Sequence, residues 1–163
     1  MSNFNMIKLG ATTSTNDWLK DKLINEKVPD NQIVWASFQT NGRGQRSKVW
    51  YSNANENLTF SIFKLFPSLN ADQTFSINCA VTLGILEVLK NLNIPELKVK
   101  WPNDILSANK KIGGVLIENF IKGDCIEGCI IGIGLNVNQR LFEKLRFATS
   151  IVIETKKTFN LEF

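Results

Sequence analysis

Apolar positions recur along the chain at two spacings, and the change from one to the other predicts its elements. Close-set or partly alternating β-branched and aromatic residues over 6–10, 32–39 and 57–66 predict strands. Between the first two, "TSTNDWLKDKLINE" (13–26) opens on helix-start residues and repeats apolar Trp18, Leu19, Leu23 and Ile24 at helical spacing. The longest helical pattern covers 71–92, where Phe75, Ile77, Val81, Ile85, Leu89 and Leu92 form an apolar stripe. Short apolar runs follow at 97–102, 104–107, 111–120 and 125–137, divided by turn residues such as "SANK". Strands, one long helix and strands again predict an α+β fold, a mixed or antiparallel sheet with helices packed on one face.

Composition narrows the class. With 163 residues, 44% of them hydrophobic, the chain can bury a proper core as a single domain over 1–163. No apolar run reaches the roughly 20 residues of a membrane helix, and the N-terminus lacks a signal-peptide layout, so a cytoplasmic protein with no membrane partner is expected. Cys79, Cys125 and Cys129 are an odd set, which suits buried thiols in a reducing compartment better than a disulfide framework. The absence of histidine excludes Ser-His and Cys-His catalysis and histidine-ligated metals. Acid–base chemistry must fall to lysine, carboxylates or backbone. A net charge of +4 is compatible with an anionic small molecule or a nucleic acid. Nucleic acid is not expected, because neither interleaved exposed aromatics nor a large basic face accompanies the arginines.

The candidate chemistry is concentrated in a few stretches. In "QTNGRGQRSKVW" (39–50), Gly42 and Gly44 give backbone freedom while Arg43, Arg46 and Lys48 supply charge. Trp50 could pin this loop, which could equally be an exposed hairpin. In "KWPND" (100–104), Pro102 holds Trp101 extended, so Lys100 and Asp104 sit where a strand ends in a turn, beside a tryptophan that could instead be buried. In "KKIGGVLIE" (110–118), strict alternation puts Lys111, Gly113, Val115 and Ile117 on one face, a lysine beside bare backbone. A bulge at the strand start is the competing reading. "TSTN" (13–16) is most simply a helix cap, whose N–H groups also suit carbonyl oxygens or anions. Neither the loop nor "GIGLN" (132–136) completes a nucleotide-binding glycine motif.

Taken in order, "STN", "Q-x-x-GRG-x-R-x-x-x-W", "KWPND", "KIGG-x-L-I-E" and "G-x-G-x-N-V-N" resemble the catalytic domain of biotin protein ligases, over about residues 6–155. The resemblance implies an enzyme that makes biotinyl-5′-adenylate from biotin and ATP with Mg2+. It then passes biotin to a lysine of the biotin carboxyl carrier protein domain of acetyl-CoA carboxylase or another biotin carboxylase. It implies catalytic roles for Lys111, Asp104 and Arg43. It places Ser14, Thr15, Asn16, Gln39, Arg43, Gly44, Gln45, Lys111, Gly113 and Gly114 on biotin, and Arg46, Trp50, Lys100, Asn103 and Asn136 on ATP. A second copy of the chain is a further candidate partner.

Departures from the family pattern shape the expectations. Gln45 stands where a third loop arginine is frequent, and Ser47 where many members have glycine. The chain stops before the family's last catalytic-domain helices and C-terminal β-barrel, so a truncated or short form is expected. No helix-turn-helix pattern precedes 6–10, so a repressor role is not. The alternatives are a relative that only binds biotin and a lipoate or octanoate transferase of the same fold. The latter enzymes carry a characteristic histidine.

Overall fold

The computed structural model describes residues 4–143 and 145–161. The alternating runs become β2 (Gln32–Gln39) and β5 (Asn57–Asn70) of a seven-stranded sheet ordered β1-β2-β5-β9-β8-β7-β6. β1 (Asn5–Thr12) lies parallel to β2, and α1 (Thr15–Asn25) makes the crossover between them. All other neighbours in the sheet are antiparallel, through β6 (Lys98–Lys100), β7 (Asp104–Ser107), β8 (Lys110–Lys122) and β9 (Cys125–Asn136). The long helical pattern is α2 (Thr74–Asn91), and α3 (Ile151–Thr155) is a single short turn of helix. The α+β class and the mixed, mainly antiparallel sheet therefore hold.

The helices are not confined to one face. Along β9, Cys129, Ile131, Ile133 and Leu135 pack with Ile77 and Leu89 of α2, whereas Ile130 packs with Leu19 of α1. Since successive strand residues point to opposite sides, α1 and α2 cover opposite faces. Leu19 has no exposed surface, and burying such a side chain contributes roughly 1.5–3 kcal/mol. Ile24 and Phe75, placed in the stripes by spacing, are instead exposed at the helix margins. Cys129 is buried, and burial pushes its thiol up to about 12. Cys79 is half-buried and Cys125, beside the β8–β9 turn, is exposed, so the expectation of buried thiols holds fully for Cys129 alone.

Two local features orient the site. Ser14 caps α1, accepting from the Asp17 amide at 3.4 Å, which fixes where the helix begins. On β8 the register against β7 slips: Leu106 pairs with Lys111 but Ile105 pairs with Gly113. The extra residue is a bulge, and it reverses which side chains share a face. Lys111 therefore faces the same way as Gly114, not Gly113, correcting the strict alternation. A Cβ on Gly114 would stand 3.3 Å from Lys111 Nζ, whereas one on Gly113 would strike Leu135 Cδ2 at 2.5 Å on the α2 side.

The glycine-arginine stretch forms a small hairpin, β3 (Gly42–Arg43) and β4 (Val49–Trp50), closed by a 3-10 turn with Gly44 N–H donating to Lys48 O at 2.7 Å. "KWPND" ends β6 at Lys100. Trp101 lies in the following turn at 72% exposure, with a cis bond to Pro102, so it is neither extended strand nor buried.

Candidate functional site

A cleft of about 400 Å3 lies over the α1-side face of β5, β9 and β8. Its floor is bare where strands cross: Gly114 pairs with Gly134, and Leu116 with Gly132. Side chains are excluded there. A Cβ on Gly132 would meet Asn16 Oδ1 at 2.3 Å, and one on Gly134 would meet the Trp50 ring at 2.6 Å.

One end of the cleft is neutral, polar and hydrogen-bonded. Ser14, Thr15 and Asn16, at the start of α1, are 2%, 3% and 3% exposed. Gln39 Oε1, at the end of β2, accepts from the Thr15 amide at 2.8 Å. Ser61 Oγ of β5 lies 2.7 Å from Thr15 Oγ1 and 2.6 Å from Asn16 Oδ1, while Asn16 Nδ2 donates to Glu118 at 2.8 Å. Such a network holds its donors and acceptors rigid, and its members Ser14, Thr15, Asn16 and Gln39 present uncharged groups to the cleft.

The other end is cationic. Lys111 Nζ lies 2.6 Å from Asp104 Oδ1 and 5.5 Å from the Trp50 ring centroid. Lys100, Arg46 and Lys48 complete this end of the lining. Arg46 and Ser47 take left-handed φ of 53° and 61°, so Ser47 occupies a conformation in which glycine is least strained.

Arg43 stands between the two ends. Its Nη2 lies 2.6 Å from Glu118 and 2.7 Å from Asp17. Burial works against the charge of both Arg43 and Glu118, yet their mutual hydrogen bond and attraction prevail, holding the guanidinium above and the carboxyl below their ordinary values.

The sequence-derived residues mostly converge. Ser14, Thr15, Asn16, Gln39, Arg43, Gly44, Gln45, Arg46, Trp50, Lys100, Asn103, Asp104, Lys111 and Gly114 all line the cleft. Gly113 does not line it; the bulge turns it toward Leu135. Asn103 turns its amide to Val115 O at 2.6 Å, fastening the β6–β7 turn to β8. Asn136 borders a second, more open hollow of about 750 Å3 beyond Lys111. Its Nδ2 donates to Thr149 O at 2.9 Å. Sequence reasoning missed Glu118, Asp17, Ser61, Gly132 and Gly134 as site-builders. Glu118 was visible as the end of "KIGGVLIE", two steps of two from Gly114, but its partners lie far away in sequence. Among the described residues no group of three or more His, Cys, Asp or Glu is placed to hold a metal, and no helix is long and apolar enough to cross a membrane.

Residues 9–136 match the biotin/lipoate A/B protein ligase family, and the chain belongs to that family. The bifunctional ligase/repressor BirA of Bacillus subtilis is 34% identical over 119 residues, 73% of this chain and 36% of that protein. BirA of Escherichia coli is 34% identical over 138 residues, 83% of this chain and 41% of that protein. The solved biotin protein ligase from Aquifex aeolicus, in complex with biotin and ATP, shares the fold with a TM-score of 0.77 at 31% identity, covering 95% of this chain and 62% of that one. The chain thus spans less than half the length of these curated relatives.

Proposed function

We propose that this chain activates biotin with ATP and transfers it to a lysine of a biotin carboxyl carrier protein, such as that of acetyl-CoA carboxylase. The observation that carries this reading is the polarity of the cleft, uncharged and hydrogen-bonded at one end and cationic at the other. Biotin has the same asymmetry, a neutral ureido ring joined by an apolar tail to a carboxylate. Ser14, Thr15, Asn16 and Gln39 receive the ring, and the bare backbone at Gly114 accommodates the tail. The nucleotide lies in the second hollow beyond Lys111, bordered by Trp50 and Asn136.

In the first step a biotin carboxylate oxygen attacks the α-phosphorus, and the bond to pyrophosphate breaks. Two like charges about 4 Å apart repel by roughly 1 kcal/mol in water and about 4 kcal/mol near a protein surface. Lys111, with Lys100 and Arg46, offsets that repulsion, so the protein's contribution is neutralisation and positioning. Mg2+ enters with ATP as substrate, held mainly by phosphate oxygens. In the second step the acceptor amine attacks the acyl carbon and AMP leaves. Asp104 at the cleft mouth takes the amine's proton. ATP supply and the exposed Cys125 thiol both suit a reducing cytoplasm.

The test is incubation of the chain with biotin, MgATP and a carrier domain, following pyrophosphate release and the carrier's mass. Release together with gain of one biotinyl group supports the ligase. Pyrophosphate without transfer restricts the chain to adenylation, and biotin binding without pyrophosphate restricts it to binding.

A further inference from the structure

We propose that Glu118 is a positioning residue that couples the cationic hairpin to the neutral end of the cleft, an inference that rests on the biotin-activating reading. One carboxylate oxygen carries the coupling. Oε2 of Glu118 accepts from Arg43 Nη2 at 2.6 Å and from Asn16 Nδ2 at 2.8 Å. Arg43 belongs to β3 and Asn16 to the first turn of α1, so three elements separate in sequence meet at one atom. Both partners line the cleft, whereas Glu118 does not, so it acts on a ligand only through them.

Its chemistry favours one orientation of the Asn16 amide, with a long second contact from Nδ2 to Leu116 O at 3.5 Å in the same sense. An asparagine amide has a donor end and an acceptor end, and either could face the ligand. A carboxylate only accepts, so Glu118 draws Nδ2 of Asn16 toward itself and leaves Oδ1 beside Ser61 Oγ at 2.6 Å. Gly132 has no side chain, which leaves the room beside the sheet that the Asn16 amide occupies. The same oxygen, with Asp17 Oδ1 at 2.7 Å, holds the guanidinium of Arg43. Arg43's charge is thereby balanced within the protein, and its work is to root the hairpin, leaving the anion's charge to Lys111, Lys100 and Arg46. The hairpin and the neutral end are thereby held in fixed relation to one another.

Glu118→Gln tests this, because glutamine keeps the shape but can present a donor to Asn16 and no charge to Arg43. We expect the KM for biotin to rise about tenfold and release of biotinyl-adenylate to quicken about tenfold, with kcat for pyrophosphate release changing less than threefold. In the ligand-free protein, amide hydrogen exchange across residues 42–50 should quicken about tenfold while the β5–β9 core is unchanged. The double variant Glu118→Gln with Arg43→Gln should release adenylate no faster than the worse single variant, and Glu118→Asp should recover part of the loss. A Glu118→Gln protein whose melting temperature falls, but whose KM, release rate and hairpin exchange stay within twofold of the parent, overturns the inference. An inactive parent overturns the biotin-activating reading instead. The exchange measurement still decides the coupling in that case.

Discussion

Lys111 Nζ sits 2.6 Å from Asp104 Oδ1, and the two side chains meet over the bare backbone of Gly114. The cation proposed for the first step and the base proposed for the second thus begin as partners. In the proposed reaction an arriving carboxylate and phosphate would compete with Asp104 for the ammonium, and occupancy of the cleft would free Asp104 for the acceptor amine.

The two residues should separate kinetically. Removing one donor to a developing anion typically costs about 10²–10³ in rate, so Lys111→Ala is expected to abolish most pyrophosphate release. Asp104→Asn should still form adenylate but transfer it slowly, since the acceptor lysine, with a pKa near 10.4, must lose its proton first. Single-turnover transfer from preformed biotinyl-adenylate checks this. Equal transfer defects with normal adenylation in both variants would refute the division of roles.

Much of this site was legible in the sequence because its parts lie in short motifs at element ends. The cap at Ser14, the hairpin around Arg43 and the turn before Asp104 each follow from local chemistry. What was not legible depends on register. The bulge at Lys111 reverses a face, so alternation selected Gly113 where the sheet presents Gly114. Glu118 and Arg43 lie 75 residues apart, and they meet only once the sheet has assembled in the order β2-β5-β9-β8 with the β3 hairpin following β2. Trp101 looked like a strand residue because a following proline favours extended backbone, but the turn leaves it 72% exposed.

Acid should expose the Glu118 network. Burial alone would raise its carboxyl, but hydrogen bonds from Arg43 and Asn16, with the nearby Arg43 charge, hold it below the ordinary 4.5. A group lowered by folding contributes stability above its unfolded value, and that contribution is lost as pH falls through the folded value. The melting-temperature advantage of the parent over Glu118→Gln should therefore be fully present well above the unfolded value of 4.5 and shrink as pH falls below it. Asp30, lowered by its hydrogen bonds from Lys64 and Leu65 against the opposing effect of burial, has the same sign and leaves an acid slope in the variant. An advantage independent of pH would show that the carboxylate's charge is not what stabilises the network.

Asn136 should behave as a strut. It is 3% exposed and donates to the Thr149 carbonyl at 2.9 Å, drawing that segment against Lys111. Leaving a buried acceptor unpaired costs about 1–3 kcal/mol, the loss expected for Asn136→Ala in urea unfolding. A raised KM for ATP with unchanged stability would instead mean direct contact with the nucleotide.

The two neighbouring glycines of β8 give the sharpest test of the site's geometry, because the bulge assigns them opposite failures. At Gly113 an added methyl meets Leu135 Cδ2 at 2.5 Å and the Gly134 carbonyl at 3.0 Å, with backbone on one side that cannot move away. Overpacking of this kind costs typically about 1–3 kcal/mol, so Gly113→Ala should lower stability while the surviving folded protein retains a near-normal KM for biotin. At Gly114 the methyl meets Lys111 Cε at 3.2 Å, Nζ at 3.3 Å and Asp104 Oδ1 at 3.6 Å, all at the ends of side chains that can shift. Stability should then change by less than about 1 kcal/mol. The ammonium is displaced from where the carboxylate and phosphate meet, so adenylation should slow by about tenfold or more, a loss of about 1.4 kcal/mol in transition-state stabilisation. Strict alternation would exchange the two results, with Gly113→Ala damaging catalysis and Gly114→Ala damaging the core. Thermal melts and pyrophosphate release measured on both variants decide between the two registers.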